Sequence, residues 1–289
     1  MIKDVLGNEK IKLLSLDLDG TTLRSDNTLS PKVRSAIETA IKNGIEVVAA
    51  SGRPFGSMHK DVLKIDGLNY VIASNGAVIC NKNGEIFHTS LLKESDVLSL
   101  LKITEPYDLI FEAFVGGLTY TDRRYTDDPM KYGCSEAYVD YVKASHGHIE
   151  NMRKFIFENR KKLDSVEYVC NDRSLREKVR DLIEVSAHSM YITSSSEHFV
   201  EFMDKSATKA CALSWVCNNI GLEMTNVAAC GNADNDADMI DIAGLGAAVK
   251  NASPLCIKNS DTVVNSNDED GVAELIDILI RHNSEFSFS

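Results

Sequence analysis

Short apolar runs that stop abruptly at polar residues recur along this chain. Residues 11–16 are such a run and lead into Asp17; residues 45–50 lead into Ser51, 70–73 into Ser74-Asn75-Gly76, and 226–230 into Gly231-Asn232. Apolar runs of this length closed by turn-forming residues suit strands buried on both faces. Residues 263–264, followed by Asn265-Ser266, form a fifth candidate strand. Between the runs the period changes. Ser30-Pro31 predicts a helix start, with serine as the cap and proline in the first turn. Val33, Ile37, Ala40 and Ile41 then follow as one helical stripe, and Asn43-Gly44 suits a left-handed stop. Residues 208–219 read as a second helix ended by Gly221. Strands alternating with helices imply an α/β fold with a parallel, Rossmann-like sheet and right-handed crossovers.

The rhythm fails between residues 84 and 195. That stretch holds most of the aromatics, a polar segment at 120–132, β-like runs at 109–114, 165–170 and 189–192, and amphipathic helical stretches around 148–163 and 173–184. The expected organisation is therefore a core made of residues 1–83 and 196–289, interrupted by an α+β domain over 84–195, with hinges near 83 and 196–205.

Composition narrows the partners. Of 289 residues, 31 are Lys or Arg and 43 are Asp or Glu, a net charge of −12. Such a chain repels phosphodiester backbones and anionic lipid, which argues against nucleic acid or membrane partners. An anionic substrate has to be met by a local cation or a bound metal. No apolar run reaches bilayer length and the first residues lack a secretory pattern, so the expected location is cytoplasmic. The seven cysteines are scattered without a CxxC pair, as expected of buried thiols in a reducing compartment. Nothing in the sequence decides between a monomer and a homodimer.

The chemistry sits at the predicted strand ends. In a parallel sheet all such ends share one edge, where ligands bind. Asp17-Leu18-Asp19-Gly20-Thr21 places two carboxylates before a tight turn, an arrangement that suits Mg²⁺ or a carboxylate nucleophile. Ser51, Asn75 and Asn232 leave other strands at the same edge. Lys209, at a helix start, can offset phosphoryl charge.

In order along the chain these elements resemble the motifs of the haloacid-dehalogenase-like phosphatases, specifically the Cof-type branch with a class IIB cap. Asp17-Leu18-Asp19-Gly20-Thr21 is similar to motif I, Ser51-Gly52-Arg53-Pro54 to motif II, and Ser74-Asn75-Gly76-Ala77 to the segment before the cap. Thr208-Lys209-Ala210-Cys211-Ala212-Leu213 is similar to motif III and the segment from Gly231 to Met239 to motif IV. Residues 247–252 and 267–272 are similar to the closing segment.

The resemblance implies a Mg²⁺-dependent phosphatase acting on a small phosphorylated metabolite, a sugar phosphate, through an aspartyl-phosphate intermediate. Asp17 is then the nucleophile and Asp19 the general acid and base. Ser51 and Gly52 bind the phosphoryl oxygens, with Arg53, Asn75, Gly76 and Asn235 around the substrate, and Lys209 balances charge. Asp17, Asp19, Asn232 and Asp236 are the implied metal residues. Asn232 departs from the family's usual aspartate, which implies weaker metal affinity, and Asp234 is a candidate to return the missing charge. The inserted domain becomes the cap, with Arg123, Arg124, Tyr125 and His198 as candidates to touch the substrate. His146-Gly147-His148 reads as a solvated loop rather than a metal site. A phosphosugar mutase and a catalytically weakened phospho-ligand-binding protein are the alternatives.

Overall fold

The computed structural model describes residues 5–134, 136–187, 189–194 and 198–285. Its strands in chain order are β1 (Leu13–Asp17), β2 (Glu46–Ala50), β3 (Tyr70–Ala73), β4 (Val78–Cys80), β5 (Ile86–Thr89), β6 (Ile110–Val115), β7 (Leu118–Asp122), β8 (His146–Ile149), β9 (Leu163–Val169), β10 (Met190–Thr193), β11 (Phe199–Asp204), β12 (Val227–Gly231), β13 (Leu245–Val249) and β14 (Thr262–Val264). They form two sheets.

The first sheet has the order β14-β13-β12-β1-β2-β3-β4-β5. Its first six strands run parallel and β4 turns back against β3. Every residue of β1 and β12 is buried, as the two-sided apolar runs require. From β1 the chain moves one way to β2 and β3, and its later strands β12 to β14 build on the other side. The order therefore reverses between β1 and β12, the place where open α/β sheets bind ligands beyond their strand ends.

Helices cover both faces. Helix Pro31–Lys42 starts as the sequence predicts: the Ser30 hydroxyl accepts from the Val33 N–H at 3.1 Å. It packs on helix Gly271–Glu285, while Lys209–Ile220 packs on Ala237–Ile242. Alternate side chains of β1 to β3 (Leu13, Val48 and Ile72) join Leu213 and Val216 of helix Lys209–Ile220 in one apolar core.

The second sheet has the order β10-β11-β9-β6-β7-β8, antiparallel except between β7 and β8. Phe111, Tyr168, Phe202, Val179 and Ile183 lie in its main core. The chain divides into one unit of Met1–Gly52, Met58–His88 and Thr208–Ser289, and another of Thr89–Ala207 with the short segment Arg53–Ser57. This divide differs from the expected hinges. Residues 84–88 belong with the first sheet because β5 extends it, and β11 pairs between β9 and β10 where a hinge over 196–205 was expected. Residues 196 and 197 lie outside the described set. His146-Gly147-His148, read as a solvated loop, is most of strand β8. Among the described residues no disulfide forms, and no helix is long and apolar enough to cross a membrane.

Candidate active site

Asp17 ends the central strand with its side chain almost wholly buried. Lys209 approaches it from the start of helix Lys209–Ile220, which the Thr208 hydroxyl caps by accepting from the Cys211 N–H. The Lys209 Nζ donates to Asp17 Oδ1 at 2.6 Å and to Asp236 Oδ1 at 2.5 Å. All three side chains are buried, and when both carboxylates are ionised the row Asp17–Lys209–Asp236 carries one negative charge more than the lysine offsets. Burial, helped by Asp236, pushes the Asp17 carboxyl up to about 7 even though Lys209 pulls the other way, and Asp19 adds to the rise. Burial alone lowers the Lys209 pKa, but the two carboxylates outweigh it and the net direction is up.

The second oxygen of Asp17, Oδ2, is buried and has no hydrogen-bond partner. A carboxylate oxygen in that state is a costly feature unless something binds it. Asp236 is the opposite case. Its Oδ2 accepts from the backbone N–H groups of Asn232 and Ala233, both at 3.0 Å, and its Oδ1 is held by Lys209. Asp236, expected among the metal residues, holds Lys209 through Oδ1 and the loop after β12 through Oδ2.

Asn232 leaves β12 toward motif I. Its Oδ1 accepts from the Thr21 hydroxyl at 3.0 Å. Gly20 sits at φ +77°, and a Cβ there would lie 2.6 Å from Asn232 Nδ2, so only glycine lets this turn close on the asparagine. A carbonyl-type oxygen has two lone pairs, so the bond from Thr21 leaves Asn232 one for a cation. Asp234, a candidate to restore charge, is exposed and accepts from the Ser253 hydroxyl at 2.6 Å. Asp19 is exposed at the mouth of the same turn.

The neighbouring strand ends join this network. Ser51 is fully buried, and its carbonyl accepts from the Asn75 N–H at 3.0 Å. Ser74 and Asn75 both adopt left-handed backbone, φ 48° and 54°, an uncommon state for non-glycine residues that concentrates at functional sites. The Asn75 Oδ1 accepts from Asn235 Nδ2 at 2.8 Å. A Cβ on Gly52 would meet that same Asn75 oxygen at 3.1 Å, and one on Gly76 would lie 2.3 Å from the Thr208 carbonyl. Through Thr208 the Asn75 cluster reaches Lys209. Asp17, Ser51, Gly52, Asn75, Gly76, Lys209, Asn232, Asn235 and Asp236 thus form one contiguous polar edge.

Arg53 stands apart, grouped with the second unit, its Nη1 donating to the Ser57 carbonyl at 3.3 Å. Of the candidates in the inserted domain, Arg123 and Arg124 are paired with Glu150 and with Asp108 and Asp122, and Tyr125 is buried in a small core. Asn251 was missed as a support: its Nδ2 donates to the Gly20 carbonyl at 2.9 Å and its Oδ1 accepts from the Asn267 N–H. Its place in the family-like segment at 247–252 was the available signal.

Among the described residues, no three His, Cys, Asp or Glu side chains stand together as a ready metal cluster. The donor set that does exist comprises one carboxylate oxygen without a partner and a nearby carboxamide. It fits a hard cation that takes one or two carboxylates and completes its shell with water or phosphate oxygens.

The family model for haloacid dehalogenase-like hydrolases matches residues 14–276. Phosphatase YwpJ of Bacillus subtilis is 29% identical over 93% of this chain and 100% of its own length. The 5-amino-6-(5-phospho-D-ribitylamino)uracil phosphatase YcsE of the same organism is 26% identical over 92% of this chain and 94% of its own. A solved HAD subclass IIB sugar phosphatase superposes with a TM-score of 0.75 over 92% of this chain and 98% of its own, at 17% identity, a likeness of fold. The chain belongs to the haloacid dehalogenase-like hydrolases, as a phosphatase.

Proposed function

We propose that this phosphatase is a Mg²⁺-dependent phosphomonoesterase of the cytoplasm, acting on a small sugar phosphate through a phosphoryl group carried on Asp17. The observation that carries the reading is the state of Asp17: one oxygen held by Lys209, the other buried without a hydrogen-bond partner at the sheet's ligand-binding edge. Lys209 fixes the carboxylate's rotamer and spreads its charge. Ser51 and the Gly52 N–H are the donors for the phosphoryl oxygens, and Asn75 is held by Asn235 beside them.

A carboxylate oxygen of Asp17 attacks phosphorus while the bond to the substrate oxygen breaks. Asp19, two residues on and exposed, gives its proton to the departing alkoxide. It then takes a proton from water, whose oxygen attacks the same phosphorus and releases inorganic phosphate and the Asp17 carboxylate. Mg²⁺ would be held by the Asp17 carboxylate, the Asp19 main-chain carbonyl and Asn232, and would supply positive charge to offset that of the phosphoryl group. Asn232 brings an oxygen but no charge, so this chain holds the ion more weakly than an aspartate there would allow.

The substrate class draws on YcsE, whose named substrate is a phosphate ester of a ribityl chain, and on the sugar phosphatase of like fold. The test is release of inorganic phosphate from p-nitrophenyl phosphate and from a panel of sugar phosphates, with Mg²⁺ and with chelator. Phosphate accumulation that needs Mg²⁺ and disappears in Asp17→Asn supports the reading and excludes a mutase. Turnover unchanged by chelator, or surviving in Asp17→Asn, defeats it.

A further inference from the structure

The chain crosses between its two units four times rather than twice, at 52/53, 57/58, 88/89 and 207/208. The extra pair of crossings isolates Arg53–Ser57, directly after the phosphoryl-binding Ser51-Gly52. The segment is a compact turn: the Ser57 N–H donates to the Pro54 carbonyl at 2.9 Å, and the Arg53 guanidinium folds back onto the Ser57 carbonyl.

This turn is docked on the tip of the β6–β7 hairpin. The Gly56 N–H donates to the Gly117 carbonyl at 2.9 Å. The approach leaves no room for side chains. A Cβ on Gly56 would lie 2.9 Å from that carbonyl oxygen and 3.3 Å from Leu118 Cδ2, and one on Gly117 would lie 3.3 Å from Phe55 Cβ.

The hairpin tip is itself held. Gly116 and Gly117 are both left-handed, at φ +59° and +78°, as a two-residue hairpin turn needs. The pairing of β6 with β9 shifts between Phe114 and Val115, so that Ser165 and Leu163 are matched and Asp164 is the extra residue of a bulge. The bulge turns Asp164 to the tip, where its Oδ2 accepts from the Gly117 N–H at 3.1 Å. Burial raises this carboxyl to about 6 against the pull of the Gly117 and Gly116 N–H groups, so it is mainly ionised at neutral pH. A buried carboxylate spent on a hairpin tip is a structural cost that a purely peripheral turn does not require.

We propose that Gly56 is a positioning residue: its docking on the Asp164-braced tip at Gly117 fixes the turn that Arg53 opens, which is peptide-bonded to the phosphoryl-binding Ser51-Gly52. The inference rests on the phosphatase reading above. Under that reading Ser51 and Gly52 bind the phosphoryl group in both the bound and the reacting state, so loosening the turn that follows them removes binding shared by the two and raises KM more than it lowers kcat.

The test compares Gly56→Ala with Gly116→Ala. No positive φ accompanies Gly56, so its alanine breaks the dock by contact alone. Gly116 is strained in the same hairpin, but its Cβ meets nothing within 4 Å. Expected for Gly56→Ala is a KM for p-nitrophenyl phosphate raised about 10-fold, with kcat changed less than about 3-fold. Hydrogen exchange should quicken in residues 54–57 and 116–118, while Gly116→Ala keeps the parent KM. A Gly56→Ala KM within about 2-fold of the parent overturns the proposal, as does unchanged exchange in both segments. If the parent releases no phosphate, the function reading fails separately. Inorganic phosphate titration then decides: about 10-fold weaker binding in Gly56→Ala supports positioning, and equal binding overturns it.

Discussion

Two substitutions that cut the same bond should move stability in opposite directions. Lys209 joins Asp17 at 2.6 Å and Asp236 at 2.5 Å, and Lys209 and Asp236 are at most 1% exposed. Lys209→Met leaves two buried carboxylates facing each other without a cation. Removing one partner of a buried pair costs roughly 3–5 kcal/mol. At roughly 2–4 °C per kcal/mol for a unit of this size, the melting temperature of the metal-free protein falls by about 6 to 20 °C.

Asp17→Asn also breaks the Lys209–Asp17 ion pair, yet Lys209 keeps Asp236 and the row becomes neutral. The Asp17 carboxyl sits at about 7 in the folded chain against a usual 3.8. A raised folded value means stability is fully present below the unfolded pKa and is lost as pH rises through the folded one. Above pH 7, ionised Asp17 therefore costs the metal-free fold a few kcal/mol, at roughly 1.4 kcal/mol per pH unit. Asp17→Asn should melt higher than the parent at pH 8 and lose most of the gain at pH 5. Thermal melts in chelator at both pH values read the two signs together. Added Mg²⁺ should raise the parent and leave Asp17→Asn nearly unmoved. Equal falls for both variants, or a Lys209→Met melt within about 2 °C of the parent, would refute the charge argument.

Three further outcomes follow from other places in the fold. Glu201, Glu167 and Glu112 stand opposite one another across β11, β9 and β6, and burial, then Glu112 and Glu201, drives the Glu167 carboxyl well above its usual value. Its stability contribution therefore fades as pH rises from about 4.5, and Glu167→Gln should flatten the fall in melting temperature between pH 5 and 8; an equal fall in both proteins counts against this. Asn232→Asp should tighten Mg²⁺ binding about 10-fold or more in a calorimetric titration, since it adds a charge where the carboxamide has none; unchanged affinity ends the weakening argument. Gly76→Ala, whose Cβ would be 2.3 Å from the Thr208 carbonyl at φ +108°, should destabilise the protein by roughly 2–4 kcal/mol in a urea melt by prising the Lys209 helix from its neighbour.

Much of the first sheet was legible because its strands are buried on both faces. An apolar run with a polar stop needs no partner to be recognised, and β1, β2, β3 and β12 all have that form. Helix ends were legible through local chemistry, Ser30-Pro31 at one start and Gly221 at one stop. What failed was local in look but decided by distant pairing. Leu245–Val249 is a strand made of small residues, Leu-Gly-Ala-Ala-Val, with one β-branched side chain. It is extended because β12 and β14 flank it, not because its residues prefer extension. His146–Ile149 looks polar and loop-like, yet β7 offers it a ladder. The expected hinge over 196–205 instead holds Phe199–Asp204, a strand that pairing on two sides buries.

The site divides along the same line. Which residue types reach the edge follows from period and topology, so Asp17, Ser51, Asn75 and Asn232 could be placed together before any contact was known. Which oxygen is held and which is bare does not follow. Lys209 lies 192 positions from Asp17, and nothing local says that it chooses Oδ1 or that Asp236 shares it. The loop after β12 decides that, by turning two backbone N–H groups onto Asp236 Oδ2 and leaving Oδ1 to Lys209. Asp236 and Asp17 carry the same functional group at neighbouring strand ends. Asp236 has both oxygens hydrogen-bonded and Asp17 has one without a partner, and under the proposed reading that difference separates a supporting carboxylate from a reactive one.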